Sequence, residues 1–370
     1  MSREQVVELI ERAIAACVFP AATVEVGNSD GATWRQAFGT LVYPSQDPGA
    51  SDPIAPNADR DVPVTTDDTV FDLASLAKPL STATIAVQQI LASELALDDL
   101  VSTCFAEWRG ADRERATVRD LLEHASGLPA RLVDRPPSTR REFEHEICAI
   151  RLEYELRAKS IYSDLGFILL GFLLTDVRRA PLAEQFSAIW SELQPASGEF
   201  LGPPVALPAS VAPTVPLDDD ERKGRVLSGE VHDSYAAALG RTLAGHSGLF
   251  GNAAGVGRFA RAMLRGARGE GAASGPFSSA GVRLATTKTD VPASSRALGW
   301  DTMLPTSSCG EHLSPAAFGH VGFTGTSLWI DPRIDRYFVL LTNRAYGNGP
   351  IDQMRAVRRG FHDALASIDG

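Results

Sequence analysis

Apolar positions near the N-terminus recur at helical spacing. In MSREQVVELIERAIAAC charged residues interrupt every apolar stretch, which predicts an amphipathic helix over residues 1–17 rather than a secretory signal. Phe19 and Pro20 break that pattern. Residues 22–26 and 33–38 then read as strands around the turn Asn28-Ser29-Asp30-Gly31, an antiparallel hairpin. Residues 43–67 are rich in Pro, Asp, Ala and Ser without periodicity, so a long surface loop that could overhang a site is expected there. Helical spacing returns over 73–97 and again from 118 to 122, where Ser126-Gly127-Leu128-Pro129 supplies a stop.

The middle of the chain is helical in character. Dense mixed charge over 131–159 predicts a solvated helical face, whereas 165–177 is apolar on nearly all sides, as in a helix buried within a helical lobe. Residues 195–216 form a Pro-punctuated connection and 266–281 a Gly/Ser/Ala loop. Strand patterning resumes at 327–330 and 337–342, and a helix over 352–368 closes the chain. The expected fold class is therefore α+β: an antiparallel sheet built from both chain ends, flanked by terminal helices, with an inserted helical lobe. The corresponding division is 1–72 with 285–370 for the sheet region and 73–284 for the helical region, with the active site in the cleft between them. No repeat at periods of 20 to 50 residues is evident.

Composition narrows the partners. With 370 residues, 44% hydrophobic and 22% charged, the chain can bury a substantial core. Asp and Glu outnumber Lys and Arg by 46 to 35, a net charge of -11 that repels a phosphate backbone or an anionic membrane surface, so neither nucleic acid nor membrane is an expected partner. The longest apolar run, 165–174, is about half of what a bilayer-spanning helix needs. Cys17, Cys104, Cys148 and Cys309 lie far apart with no C-x-x-C pair and read as reduced thiols, in keeping with a soluble, cytoplasmic protein. None of the seven histidines sits in an H-x-x-x-H or H-E-x-x-H pattern, and no metal or other cofactor is expected. Gly255-Val256-Gly257 mimics a dinucleotide-binding glycine pattern, but no strand precedes it and no acid follows at the right distance.

The chemistry-bearing segment is Phe71-Asp72-Leu73-Ala74-Ser75-Leu76-Ala77-Lys78. Residues three apart share a helix face, so the Ser75 hydroxyl and the Lys78 amine can meet. A serine alcohol is a poor nucleophile at neutral pH, and a desolvated lysine can serve as its base. Two further elements follow: Tyr162-Ser163-Asp164 offers a phenol as a second base, and His320-Val321-Gly322-Phe323-Thr324-Gly325-Thr326 offers a glycine-relieved strand edge.

With these three elements in this order, the chain resembles the penicillin-recognising serine hydrolases, specifically the class C β-lactamase and D-alanyl peptidase branch. Residues 117–129, TVRDLLEHASGLP, look like that branch's helix and turn after the nucleophile. Val231-His232-Asp233, Gly245-His246-Ser247-Gly248-Leu249-Phe250 and residues 322–332 are most similar to a subgroup holding exo-acting muramyl-peptide amidases and the mitochondrial β-lactamase-like protein. The resemblance implies Ser75 as acylated nucleophile, Lys78 as its proton partner and Tyr162 as proton shuttle, with the backbone N–H groups of Ser75 and Phe323 as oxyanion hole. Asp164, His320, Gly322, His232 and His246 are the implied substrate-binding positions. For His232 and His246 the competing reading is buried histidine bonded to backbone, and His124 reads as a helix-end packing residue.

Two positions depart from the family pattern. Asp164 replaces the usual Asn, which should favour a charged Lys78 and leave more of the proton transfer to Tyr162. His320-Val321-Gly322 replaces Lys-Thr-Gly, removing a permanent cation and a hydroxyl; contacts made by His320 would depend on pH near neutrality. Arg344, after the last strand, reads as an ordinary solvated arginine, with an exposed arginine that meets an acidic substrate as the alternative. The expected activity is acyl-enzyme hydrolysis of an amide or ester, foremost a cell-wall-derived peptide or muropeptide, with a broad carboxylesterase next and a true β-lactamase third. A small-molecule or peptide substrate is the expected partner, and a homo-oligomer is left open. A non-catalytic binding or self-assembling protein on the same fold is the alternative of another class.

Overall fold

The computed structural model describes residues 3–43, 62–133, 137–347 and 349–366. Most of the loop expected over 43–67 lies outside the described residues. Helix α1 (Arg3–Ala15) leads into the expected hairpin, β1 (Ala21–Gly27) and β2 (Ala32–Gly39). In the larger sheet β1 also pairs with β9 (Arg336–Thr342), then come β8 (Ser327–Asp331), β7 (Phe318–Val321) and β6 (Asp301–Thr302), all antiparallel, so the chain's two ends share one sheet. Both faces of that sheet are covered. On β9, Tyr337, Val339 and Leu341 join the core shared with the helical region, while Phe338 and Leu340 pack beneath α1 and α11 (Ile351–Ala366). This two-sided burial explains why the strand reads as an unbroken apolar run rather than an alternation.

Helix α2 (Thr84–Leu91) is reached through a 3₁₀ turn (Ala74–Leu76) and a π-helical stretch (Lys78–Ala83), so the helical run predicted over 73–97 is irregular at its start and shorter at its end. Such irregular helix recurs at functional sites. Short α3 (Val101–Cys104) and α4 (Val118–Leu122) follow, the latter closed by a Thr117–Asp120 capping box. Among the described residues of 131–159 the only helix is α5 (Arg140–Ala149). Arg131 and Arg157 are not simply solvated: Arg157 pairs with Asp120 and Glu123, and Arg131 with Asp164 and Asp233.

Helix α6 (Asp164–Arg178) is buried along Asp164–Leu174 as its composition predicts, with α7 (Leu182–Glu192) beside it. Two-residue strands β3 (Phe71–Asp72), β4 (Leu201–Gly202) and β5 (Phe250–Gly251) form a second small sheet that fixes the chain just before Ser75. After α8 (Ser234–Ala238), helix α9 (Ala253–Arg268) packs on β1, β8 and β9, and α10 (Ser279–Thr286) packs on α9 and α2. A helix from the middle of the sequence thus forms one cover of the sheet.

The segment before β5 approaches α6 through glycine. A Cβ at Gly245 would lie 1.8 Å from the Phe167 carbonyl oxygen and 2.9 Å from the Gly171 nitrogen, so only glycine lets these backbones meet. The Gly245 carbonyl accepts from Thr82 Oγ1 at 2.6 Å and the next carbonyl, that of His246, accepts from Lys78 Nζ at 3.0 Å. G245A is therefore expected to lose about 1–3 kcal/mol in urea unfolding, the range typical of overpacked cores. Unfolding at the native midpoint would refute that close approach.

Candidate active site

The nucleophile segment is held by three neighbours. Ala74 sits at φ +47°, a costly conformation for a residue with a Cβ. The Asp72 carboxylate supports it, accepting from Ala74 N at 2.8 Å and from His232 N at 2.7 Å. Burial pushes the Asp72 carboxyl up to about 6 despite these two hydrogen bonds. From the other side Thr324 Oγ1 donates to the Asp72 carbonyl at 2.7 Å and Thr326 Oγ1 to that of Leu73 at 3.0 Å, stitching the loop after β7 to the residues before Ser75. At Gly322 a Cβ would fall 2.4 Å from the Leu73 oxygen, so glycine permits this contact.

Ser75, Lys78 and Tyr162 converge as expected. Lys78 Nζ lies 3.1 Å and Tyr162 Oη 2.6 Å from Ser75 Oγ, and Lys78 Nζ stands 4.7 Å over the Tyr162 ring. Lys78 is fully buried; its ammonium also donates to Asp164 Oδ1 at 2.7 Å. Burial works against the charged amine, but the Asp164 carboxylate overcomes it and holds the Lys78 pKa above its ordinary value. Burial likewise raises the Tyr162 phenol, against the lowering influence of Lys78.

Asp164 lines the cleft with both carboxylate oxygens engaged. Its second oxygen accepts from Arg131 Nη1 at 2.9 Å; the same nitrogen reaches Asp233 Oδ2 at 2.9 Å, and Asp233 Oδ1 meets His246 Nε2 at 2.6 Å. Burial opposes ionisation of Asp164 and Asp233, yet the cations beside them hold both carboxyls below the usual carboxylate range. Positive and negative groups therefore alternate from Lys78 to Arg131 to the Asp233–His246 pair. Sequence reading missed Arg131, because its surroundings look like a solvated charge cluster; Asp233, which also caps α8, was singled out only as a neighbour of His232.

The histidines differ in placement. His232 bonds Val215 O through Nε2 at 3.1 Å and its ring stacks on Phe323 at 5.4 Å. His320 lies on β7, its Nδ1 2.8 Å from Val321 O and its ring 5.9 Å from that of Tyr162. Burial, reinforced by Arg296 and Lys78, drives the His320 pKa well below the ordinary 6.5, so it is neutral at pH 7 and the expected switch near neutrality does not occur. His124 does pack at a helix end, and it also supports the phenol: Nδ1 accepts from Ser163 N at 3.0 Å while the ring sits 4.9 Å from Tyr162. Arg344, expected to be solvated, is only 4% exposed and donates twice to Phe323 O.

These groups line a cleft of about 600 Å³ that runs from Arg131 and Asp233 past Ser75 to Phe323, Arg344 and Arg358. Among the described residues no three His, Cys, Asp or Glu side chains converge as a metal-ligand set. No helix among them is long and apolar enough to cross a membrane.

The Beta-lactamase family model matches residues 8–361. The chain belongs to the beta-lactamase family. Related sequences include a putative D-alanyl-D-alanine carboxypeptidase of Escherichia coli O157:H7, 30% identical over 315 residues, 75% of this chain and 70% of that one. An N-acetylmuramyl-L-alanine amidase of Bacillus subtilis is 27% identical over 308 residues, covering 75% and 68%. Among solved structures, a class C beta-lactamase from Rhodobacter sphaeroides superposes with TM-score 0.72 at 18% identity, covering 98% of this chain and 99% of that one. The chain is thus a serine hydrolase of the beta-lactamase family with the beta-lactamase/transpeptidase-like fold.

The burial of His124 and His320 makes a direct prediction. Across a titration from pH 8 to pH 6, their imidazole ¹⁵N resonances should stay at neutral-ring values. A midpoint near 6.5 at either ring would contradict the desolvation argument.

Proposed function

We propose that Ser75 attacks the carbonyl of an amide or ester to form an acyl-enzyme, with Lys78 and Tyr162 handling its proton and water later releasing the acyl group. The observation that carries this reading is the convergence of Lys78 Nζ and Tyr162 Oη on Ser75 Oγ at 3.1 and 2.6 Å. Both groups donate to Oγ at rest. That arrangement lowers the cost of the negative charge that grows on Oγ as its proton departs. With Lys78 held as an ammonium by Asp164, the base is the Tyr162 phenolate: the phenol first releases its proton to solvent, then takes the Ser75 proton as Oγ attacks and gives it to the leaving group as the tetrahedral intermediate collapses. The backbone N–H groups of Ser75 and Phe323 form the oxyanion hole. Its support is the Thr324 and Thr326 stitching, which brings the loop containing Phe323 against the residues before Ser75.

The substrate proposed is a small cell-wall-derived peptide or muropeptide. Two related sequences bear names for D-alanyl-D-alanine and muramyl-L-alanine chemistry, and the cleft offers paired acids at one end and arginines at the other for a peptide's polar groups. Asp164 and His246 act from behind Lys78, Asp164 through its carboxylate and His246 through its carbonyl, while His232 and Gly322 shape the wall around Phe323. Four unpaired thiols favour a reducing compartment, in keeping with a cytoplasmic enzyme of recycled wall fragments.

A fluorophosphonate should add one adduct at Ser75 and none to S75A, read by intact mass; a native chain left unmodified would overturn the nucleophile assignment. Y162F should slow turnover of a muropeptide or aryl ester by about 10²–10⁴-fold, the usual range for a lost acid–base group. The rate should rise with pH through neutrality, because the resting amine and phenol are both protonated. Asp164→Asn removes the carboxylate that favours the ammonium, so burial dominates and that limb should move to lower pH. A limb that stays in place or moves to higher pH would show that Asp164 does not control Lys78.

A further inference from the structure

Arg358, on α11, is a buried cation with no carboxylate for a partner among the described residues. It is 7% exposed, its Nη2 donates to Gly322 O at 2.6 Å and to Thr326 O at 3.0 Å, and its Nε has no hydrogen-bond partner. Arg344 repeats the pattern one residue along: Nε and Nη2 both donate to Phe323 O, at 2.9 and 2.8 Å, and Nη1 donates to Gly349 O. Two cations therefore bind carbonyl oxygens of consecutive residues, Gly322 and Phe323, with no carboxylate among the described residues to offset their desolvation. Burying unpaired charge is expensive, and arginines retained only for packing would be served as well by apolar side chains.

The Gly322 carbonyl belongs to the same peptide unit as the Phe323 N–H. In a planar trans peptide these two groups point in opposite directions, so a carbonyl turned to Arg358 turns the N–H away from it. A hydrogen bond from a guanidinium to the oxygen draws electron density from the nitrogen and makes its hydrogen a stronger donor. Such chains of hydrogen bonds strengthen one another by about 10–30% per bond in condensed phases, and the full positive charge adds to this at low dielectric. Gly325 N also donates to Gly322 O, at 3.1 Å, so the carbonyl is fully engaged on its rear side.

We infer that Arg358 is a positioning residue for the oxyanion hole: through the Gly322 carbonyl it orients and polarises the Phe323 N–H, so that charge developing on the substrate oxygen is stabilised by a guanidinium that never touches it. Arg344 fixes the following carbonyl and keeps the loop from turning. The inference rests on the assignment of Ser75 and Phe323 N–H as the reacting centre. Burial first, and then Arg344 and Arg355, push the Arg358 pKa down to about 9, which leaves it cationic at neutral pH.

The test is the second-order rate at which an uncharged alkyl fluorophosphonate modifies the full chain, measured beside the melting temperature. An uncharged reagent excludes recognition of a substrate carboxylate, and its anionic transition state needs the oxyanion hole. R358M should label about tenfold more slowly or worse while its Tm is unchanged or higher, because an unpaired buried charge has been removed. R358Q, which can still donate to Gly322 O without charge, should resemble R358M, and R358K should retain more of the native rate than either. Native-rate labelling by R358M, or equal labelling by R358Q and R358K, would overturn the inference. Should R358M fail to fold, the comparison of R358Q with R358K decides by the same criterion. A native chain that is not labelled at all would instead remove the Ser75 assignment on which the inference stands.

Discussion

The site depends on where a fully buried ammonium can place its positive charge. Lys78 has no access to water, so its charge must be met by fixed acceptors: Ser75 Oγ, Asp164 Oδ1 and the His246 carbonyl. Each acceptor arrives on a different element, and each element is constrained by the need to deliver it. The Ser75 turn bends through a left-handed alanine supported by Asp72; Asp164 opens a helix buried along its first eleven residues; the His246 carbonyl reaches Lys78 because Gly245 lets its backbone touch α6. Breaking one partner of such a buried pair is typically costly, about 3–5 kcal/mol, because the remaining charge is stranded.

Neutralising Lys78 creates a second requirement, since Asp164 is itself almost wholly buried. Arg131 meets its other oxygen, Asp233 meets Arg131, and His246 meets Asp233. Arg131, in the middle of this series, is the member that water reaches, its side chain being 41% exposed, so solvent screens the charge shared by the two carboxylates. An asparagine at 164 would need no such chain. The substitution noticed in sequence as a single departure from the family pattern is thus accompanied by a set of charged neighbours that accommodate it.

Much of this was legible beforehand. The hairpin, the buried α6 and the terminal strands follow from periodicity, and Ser75, Lys78 and Tyr162 from motifs whose spacing has a physical reason. What escaped was set by tertiary neighbours. Arg131, in a run of mixed charge, carries no local signal of its carboxylate partners, and Arg344, after a strand, none of its burial, because those neighbours come from α6, α8 and the loop at Phe323. Short strands such as β6 and β7 carry too few residues to show a period. The helix at Ser75 begins as 3₁₀ and π turns because the Asp72, Thr324 and Thr326 bonds fix its first turn, an influence no window of sequence contains.

The same reasoning bears on His320. In the family pattern a lysine stands at this position, and its absence looks like the loss of a cation. The structure supplies another: the Arg296 guanidinium lies 5.4 Å from the Tyr162 ring centre, and Lys78 lies 4.7 Å from it. A lysine at 320 would add a third positive charge to this group. A histidine can yield its proton, and the two existing cations help burial hold it neutral. With His124 neutral on its other side, the phenol is flanked by two uncharged rings, and the charges that act on its proton are those of Lys78 and Asp164. The histidine thus keeps the aromatic wall beside Tyr162 while sparing the site a repulsion that lysine would impose.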